Sequence, residues 1–216
     1  MFSRTEMQRT PHKLVGSILH LNVRSINKHL EELEILIDEL ESPPLCICLS
    51  EAWLNAGSPN EIYKLKGYSG VIAKPRDNKP GGGVMIQLRE DVQLVKEFET
   101  PFQEALCVKI SHNNKNYIIV LVYNAPDFNK YKFIETLDEY LDSIETTLPI
   151  IVTGDFNIDV TTKNRLSQMY LDAIIANGFD FLSSDYTRVG ISSKTCLDHF
   201  LREIVHSNML RLYINQ

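Results

Sequence analysis

Apolar residues fall along this chain in two kinds of run. Leu45–Leu49 (LCICL) and Ile150–Val152 are apolar without a break, the pattern of strands buried on both faces. Val15–Val23 alternates instead, with Leu19, Leu21 and Val23 on one side and His20, Asn22 and Arg24 on the other. Similar stretches predict strands over Gly67–Ala73, Val84–Leu88, Val92–Phe98, Ala105–Ile110 and Tyr117–Tyr123. The last two are joined across His112–Asn116, a hairpin-turn composition, and Tyr186–Gly190 with Lys194–Leu201 reads as a second hairpin. Three amphipathic stripes predict helices. One is capped by Asn27, carries Leu30, Leu33, Ile37 and Leu40, and stops at Ser42-Pro43-Pro44; one spans Tyr131–Ile144; one spans Leu166–Asn177 and ends at Gly178. The chain then runs through Met209–Ile214 with no element assigned. Strands clustered between helices predict an α/β (α+β) fold of two packed sheets covered on both outer sides.

Polar residues recur where apolar runs break off: Asn22, Glu51, Tyr123, Asp155, Asn157 and Asp198. The central example is Leu148–Asp159 (LPIIVTGDFNID). Gly154 permits close approach of backbone or ligand, and Asp155 and Asn157, two apart, share a side of an extended chain. A Gly-Asp turn followed by Asn is also ordinary strand-ending chemistry, so the recurrence across several strands carries the argument. A hard cation such as Mg2+ is held by one or two carboxylates and keeps several waters, a role open to Glu51 with Asn22 beside it. Asp155 can then orient a water for in-line attack on phosphorus, with Tyr123 and Asn157 as neutral donors to the nonbridging oxygens. The glycine triplet 81–83 lacks the Gly-Lys-Ser/Thr ending of a phosphate loop and reads as a flexible loop or bulge entering a sheet.

Composition narrows the picture. The 216 residues fit one domain, 14–216, with no linker dividing it, preceded by a polar arm, 1–13, that reads as disordered or linking. Hydrophobic content of 44% and charged content of 23% are those of a globular protein with a sizeable core. Four cysteines without a CxxC pair point to free thiols in a reducing, intracellular compartment, and no apolar run is long enough to span a bilayer. A net charge of −6 means that attraction to nucleic acid must come from a local basic patch or a bound cation. Lys74, Arg76 and Lys79 are candidates for such a patch, against the plain alternative of a solvated charged loop. Trp53 reads as a loop-packing residue and His20 as a hydrogen-bonded structural histidine.

The ordered motifs LNVRS (Leu21–Ser25), SEAWL (Ser50–Leu54), GGGVMI (Gly81–Ile86), VYNAP (Val122–Pro126), GDFN (Gly154–Asn157) and CLDHFL (Cys196–Leu201) resemble the endonuclease/exonuclease/phosphatase family over Ile18–Leu201. Their wording is most similar to the apurinic-type endonuclease domains of non-LTR (LINE-type) retrotransposons. The resemblance implies a four-layer αββα sandwich of two mixed, mainly antiparallel β-sheets flanked by helices. It implies Glu51 as metal ligand supported by Asn22, Tyr123 contacting phosphate, Asp155 aligning the water, Asn157 binding the scissile phosphate and Asp198 orienting a catalytic histidine. Mg2+, with Mn2+ as a substitute, is the implied cofactor. DNA is the implied partner, met also by Arg24, Arg188, Lys74 and Arg76, with a reverse transcriptase domain on the same polyprotein. The resemblance implies a monomer, nuclear if it belongs to an active retroelement and cytoplasmic otherwise.

One departure stands out: the family's last strand, with Ser/Thr-Asp-His, is missing, so the chain reads as C-terminally truncated. His199 follows Asp198 directly, but neighbours on a strand face opposite ways, which turns it from the cleft. Three functions therefore compete: a DNA-nicking enzyme, a phosphoesterase on a small phosphorylated molecule, and an inactive remnant. Fold alone does not separate them.

Overall fold

The structure, a computed structural model, describes residues 16–55, 57, 59–77, 81–182, 188–189, 194–203 and 211–214. The arm predicted over 1–13, together with Lys79 and His206, lies outside them. Two mixed sheets face each other, and helices cover their outer sides. The first sheet has the order β13-β1-β2-β4-β3, built from β1 (Ser17–Asn22), β2 (Cys46–Ser50), β3 (Tyr68–Lys74), β4 (Val84–Arg89) and β13 (Arg211–Ile214). The second has the order β5-β6-β7-β8-β12-β9, built from β5 (Gln93–Phe98), β6 (Ala105–His112), β7 (Lys115–Tyr123), β8 (Ile150–Asp155), β9 (Phe179–Phe181) and β12 (Asp198–Glu203). A small hairpin pairs β10 (Arg188–Val189) with β11 (Lys194–Thr195). Helix α1 (Ile26–Asp38) packs outside the first sheet, and α2 (Lys130–Asp142) and α3 (Arg165–Ala176) pack outside the second.

The period-two alternation of the strands sorts their side chains into three apolar layers. On β1, Leu19 and Leu21 pack with Leu33 and Ile37 of α1, while Ile18 turns inward against the second sheet. On β7, Ile118, Val120 and Val122 meet Phe133 and Leu137 of α2, while Ile119 and Leu121 face the first sheet. The unbroken apolar run of β8 divides the same way, which explains why it shows no polar face.

Strand direction decides where the polar ends meet. β1 runs parallel to β2, and β7 parallel to β8, so all four finish at one end of the sandwich. β4, β6 and β12 run antiparallel to their neighbours and begin at that end.

Several local expectations are corrected. Helix α1 starts at Ile26 after Ser25, not after Asn27, and has no side-chain cap. The backbone N–H groups of Val23, Ser25 and Ile26 instead donate to the carbonyls of Ser50, Glu51 and Ala52 at 3.0, 2.9 and 3.0 Å, so the chain leaving β2 serves as the cap. The predicted strand Lys194–Leu201 is two strands, β11 and β12, broken at Cys196-Leu197, and β9 and β13 were not predicted. The turn between β6 and β7 is Asn113-Asn114, with φ of 50° and 59°, the left-handed pair that a two-residue hairpin turn needs.

Candidate active site

The inward faces of both sheets carry the predicted residues to one end. In register, Tyr123 on β7 and Asp198 on β12 flank Asp155 on β8, and across the seam Asn22 on β1 lies beside Ser50 on β2, one residue before Glu51. The two sheets are joined by one carboxamide. Asn22 Nδ2 donates to Glu51 Oε1 at 2.8 Å and to Asp155 Oδ2 at 2.6 Å. Asn22 Oδ1 is buried and accepts no hydrogen bond.

Asp155 and Asn157 meet through a turn rather than through the pleat of an extended strand. β8 ends at Asp155, and Asn157 takes a left-handed φ of 50° that lets its N–H donate to Asp155 Oδ1 at 3.1 Å. Phe156, between them, points the other way into the helix-facing core. Asn157 Nδ2 donates to the Asn124 carbonyl at 2.8 Å, and Asn124 Nδ2 donates to the Phe156 carbonyl at 2.8 Å. Asn124, which the sequence reading missed, thus fastens the exit of β7 to the exit of β8. Gly154 is required by backbone: a Cβ there would collide with the Val122 carbonyl of β7.

Of the seven non-glycine residues with positive φ among the described residues, five (Arg24, Ser25, Glu51, Trp53 and Asn157) are in the loops of this end. Backbone conformations of this kind are costly and collect where side chains must be aimed. Burial, followed by the nearby carboxylates of Glu51 and Asp155, raises the Tyr123 phenol well above its ordinary range, with Arg76 opposing; the hydroxyl is a neutral donor at any physiological pH.

Asp198 faces the site, and His20, read from sequence as a structural histidine, stands beside it. His20 Nδ1 is 3.8 Å from Asp198 Oδ1, and its Nε2 is 3.2 Å from Ser50 Oγ, all between the sheets. His199 points the opposite way, as strand alternation requires. It stacks on Phe156 at 5.1 Å, with Nδ1 2.9 Å from the Tyr170 hydroxyl and Nε2 3.1 Å from the Cys196 carbonyl.

The basic candidates separate. Arg24 is exposed beside the site, whereas Lys74 Nζ donates to the Phe102 carbonyl at 3.2 Å. Arg76 is no solvated loop charge: its Nε and Nη2 both donate to Glu104 Oε2, at 2.9 and 2.7 Å. The Arg188 side chain is outside the described residues. Trp53 is partly exposed at 37%, with Lys28 Nζ 5.6 Å from its ring centre.

The donor set fits a hard cation. Asn22 turns its amide nitrogen to two carboxylates and keeps a buried oxygen that accepts no hydrogen bond, and oxygen ligands of these kinds suit Mg2+. Among the described residues no group of three or more His, Cys, Asp or Glu side chains is placed to hold a metal ion, so the oxygens on offer here are those of two carboxylates and the Asn22 amide.

Two facing sheets covered by helices, with acidic and amide groups gathered at one end of their seam, make a four-layer αββα sandwich. The sequence profile of the endonuclease/exonuclease/phosphatase family matches residues 19–202, and the chain belongs to that family. A search of curated proteins found no match by sequence. Among solved structures, the chain is similar in fold to the AP endonuclease LMAP from Leishmania major, with a TM-score of 0.68, 13% identity, and 94% and 84% of the two chains covered. It is similar to the endonuclease domain of TRAS1, a telomere-specific non-LTR retrotransposon, with a TM-score of 0.65, 15% identity, and coverage of 86% and 84%. The 3′ phosphatase NExo from Neisseria, bound to a product DNA hairpin, matches with a TM-score of 0.62, 18% identity, and coverage of 87% and 86%. No helix among the described residues is long and apolar enough to cross a membrane.

Proposed function

We propose that this chain is a metal-dependent DNA endonuclease of the LINE-type retrotransposon kind, hydrolysing a phosphodiester bond to nick target DNA. The observation that carries this reading is the Asn22 amide set between Glu51 and Asp155 with its own oxygen left over. Glu51 and Asn22, beside Asp155, would hold Mg2+ or Mn2+, which when bound would supply Lewis-acid stabilisation of the charge developing on the leaving oxygen. Asp155, oriented through its bond from the Asn157 N–H, aligns the attacking water. Tyr123 donates its neutral hydroxyl to a nonbridging phosphate oxygen, and Asn157 offers the amide hydrogen not given to Asn124. The reading implies a monomer acting on nuclear DNA, with a reverse transcriptase domain on the same polyprotein.

The test is nicking of supercoiled plasmid with Mg2+. Activity should vanish with EDTA and in Glu51→Ala and Asp155→Ala proteins that keep their fold. Equal nicking by Asp155→Ala overturns the reading, and robust phosphate release from inositol phosphates favours a small-molecule phosphoesterase instead.

One observation favours a second reading. His20 and His199, the histidines described at this end, are both wholly buried, so neither reaches a substrate. An inactive remnant of such a domain would fold and bind without turnover. Comparing the 216-residue chain with one extended by a Ser/Thr-Asp-His strand separates the two: similar rates argue against the remnant, and a gain of about 10²-fold or more argues for it.

A further inference from the structure

The glycine triplet and the buried Arg76–Glu104 ion pair lie outside the catalytic roles assigned above. All three glycines have positive φ, 85°, 66° and 79°, which only glycine adopts without strain. The carbonyls of Gly82 and Gly83 accept from Trp53 N–H and Ala52 N–H at 2.8 and 3.1 Å, immediately after Glu51. On its other side Gly83 N–H donates to Glu104 Oε1, and the Glu104 carbonyl accepts from Tyr123 N–H at 2.9 Å. A Cβ on Gly82 would occupy the space of Arg76 and the Glu104 carboxylate, so the glycine is a cradle for that pair. Arg76 and Glu104 side chains are only 14% and 5% exposed, and the Arg76 guanidinium carbon lies 5.5 Å from the Tyr123 ring centre.

A continuous line of bonds therefore runs from the Glu51 loop on the first sheet through Gly82-Gly83 and Glu104 to Tyr123 on the second. We propose that Arg76 and Glu104 are positioning residues of the active site, the pair that, seated on Gly82-Gly83, fixes the Tyr123 phenol relative to the Glu51 loop. This rests on the nuclease reading for its catalytic consequence but not for its geometry. A buried pair of this kind is weak evidence for stability by itself, since desolvation offsets much of the attraction, which leaves its placement against Tyr123 as the feature to explain. The inference also moves Arg76 from a DNA-phosphate contact to an internal strut.

The experiment compares wild type, Arg76→Met, Tyr123→Phe and the double variant in two measurements. One is Mg2+-dependent plasmid nicking. The other is NMR of the free proteins carrying 13C-labelled tyrosine, with the Tyr123 signal identified by its loss in Tyr123→Phe. Arg76→Met should lower kcat about 10- to 100-fold with KM nearly unchanged, the scale of a displaced reacting group. It should shift the Tyr123 ring signal and add less than about twofold to the loss already present in Tyr123→Phe, because its effect passes through that ring. A fall of equal size in both backgrounds, or an unmoved Tyr123 signal, overturns the proposal. If Arg76→Met does not fold, Glu104→Gln is taken through the same comparison. A wild type that cleaves no DNA defeats the nuclease reading, while the NMR shift still decides the positioning role.

Discussion

The two ends of the seam between the sheets use the same kinds of side chain to opposite effect. At the end away from the site, Arg89 Nε and Nη2 fork onto Asp91 Oδ1 and Oδ2 at 2.6 and 2.9 Å, and Nη1 donates to the Pro43 carbonyl at 2.7 Å. His112 Nε2 completes the cluster 3.1 Å from Asp91 Oδ2. The Arg89 guanidinium, aided by His112 and opposed by partial burial, holds the Asp91 carboxyl down at about 2. At the site, two carboxylates converge on one neutral amide. The first arrangement satisfies its charge within the fold. The second gathers two carboxylates around one amide, a neutral group whose own oxygen accepts no hydrogen bond.

This contrast is broken most sharply by exchanging the two ends' roles. Asp155→Asn, which can still accept the Asn157 N–H, should lower nicking by about 10² to 10⁴-fold, with thermal stability unchanged or raised. Loss of stability together with activity would place Asp155 among the structural residues.

The next effect is a pH dependence at the site's own end, on the face of β12 turned towards the helices. Burial pushes the His199 imidazole down to about 4, from an ordinary value of about 6.5. A histidine kept neutral by the fold contributes stability that is full above its unfolded value and is lost as pH falls from about 6.5 towards 4. The difference amounts to roughly 3 kcal/mol. Urea unfolding of wild type and His199→Gln between pH 7 and 4.5 checks it: the wild type should lose more stability than the variant across that range.

A smaller effect sharpens the cation side of the contrast. Asn22→Ala removes the shared amide and should weaken Mg2+ binding about 10- to 100-fold by calorimetry, without a matching change in unfolding. Smallest is Asp91→Asn at the other end. Its folded value is depressed, so its contribution is present above about 4 and fades as pH falls towards 2. Because the Asp91 side chain is 55% exposed, solvent screening keeps the loss below about 1 kcal/mol at neutral pH, with nicking intact.

What could be read from sequence follows from which physics is local. Alternation of apolar and polar residues is local, so β1 to β8 and all three helices were legible to within a few residues. The site was legible wherever a polar residue ended an apolar run, as at Asn22, Glu51, Tyr123 and Asp155. Glu104 was missed because it stands where a run begins, and in an antiparallel strand that is the end facing the site. The cap of α1 was misplaced because its partners are carbonyls from β2, distant in sequence.

By itself, then, the sequence determined the period-two and helical faces, the turn chemistry of Asn113-Asn114, and the opposite facing of Asp198 and His199. Each depends on backbone sterics or strand geometry carried by a few neighbouring residues. Tertiary structure alone decided that Asn22 spans Glu51 and Asp155, that Arg76 is held by Glu104 against Tyr123, and that His20 meets Asp198. Those contacts join residues from different strands of two facing sheets, and their distances depend on strand order and direction, which no local pattern encodes.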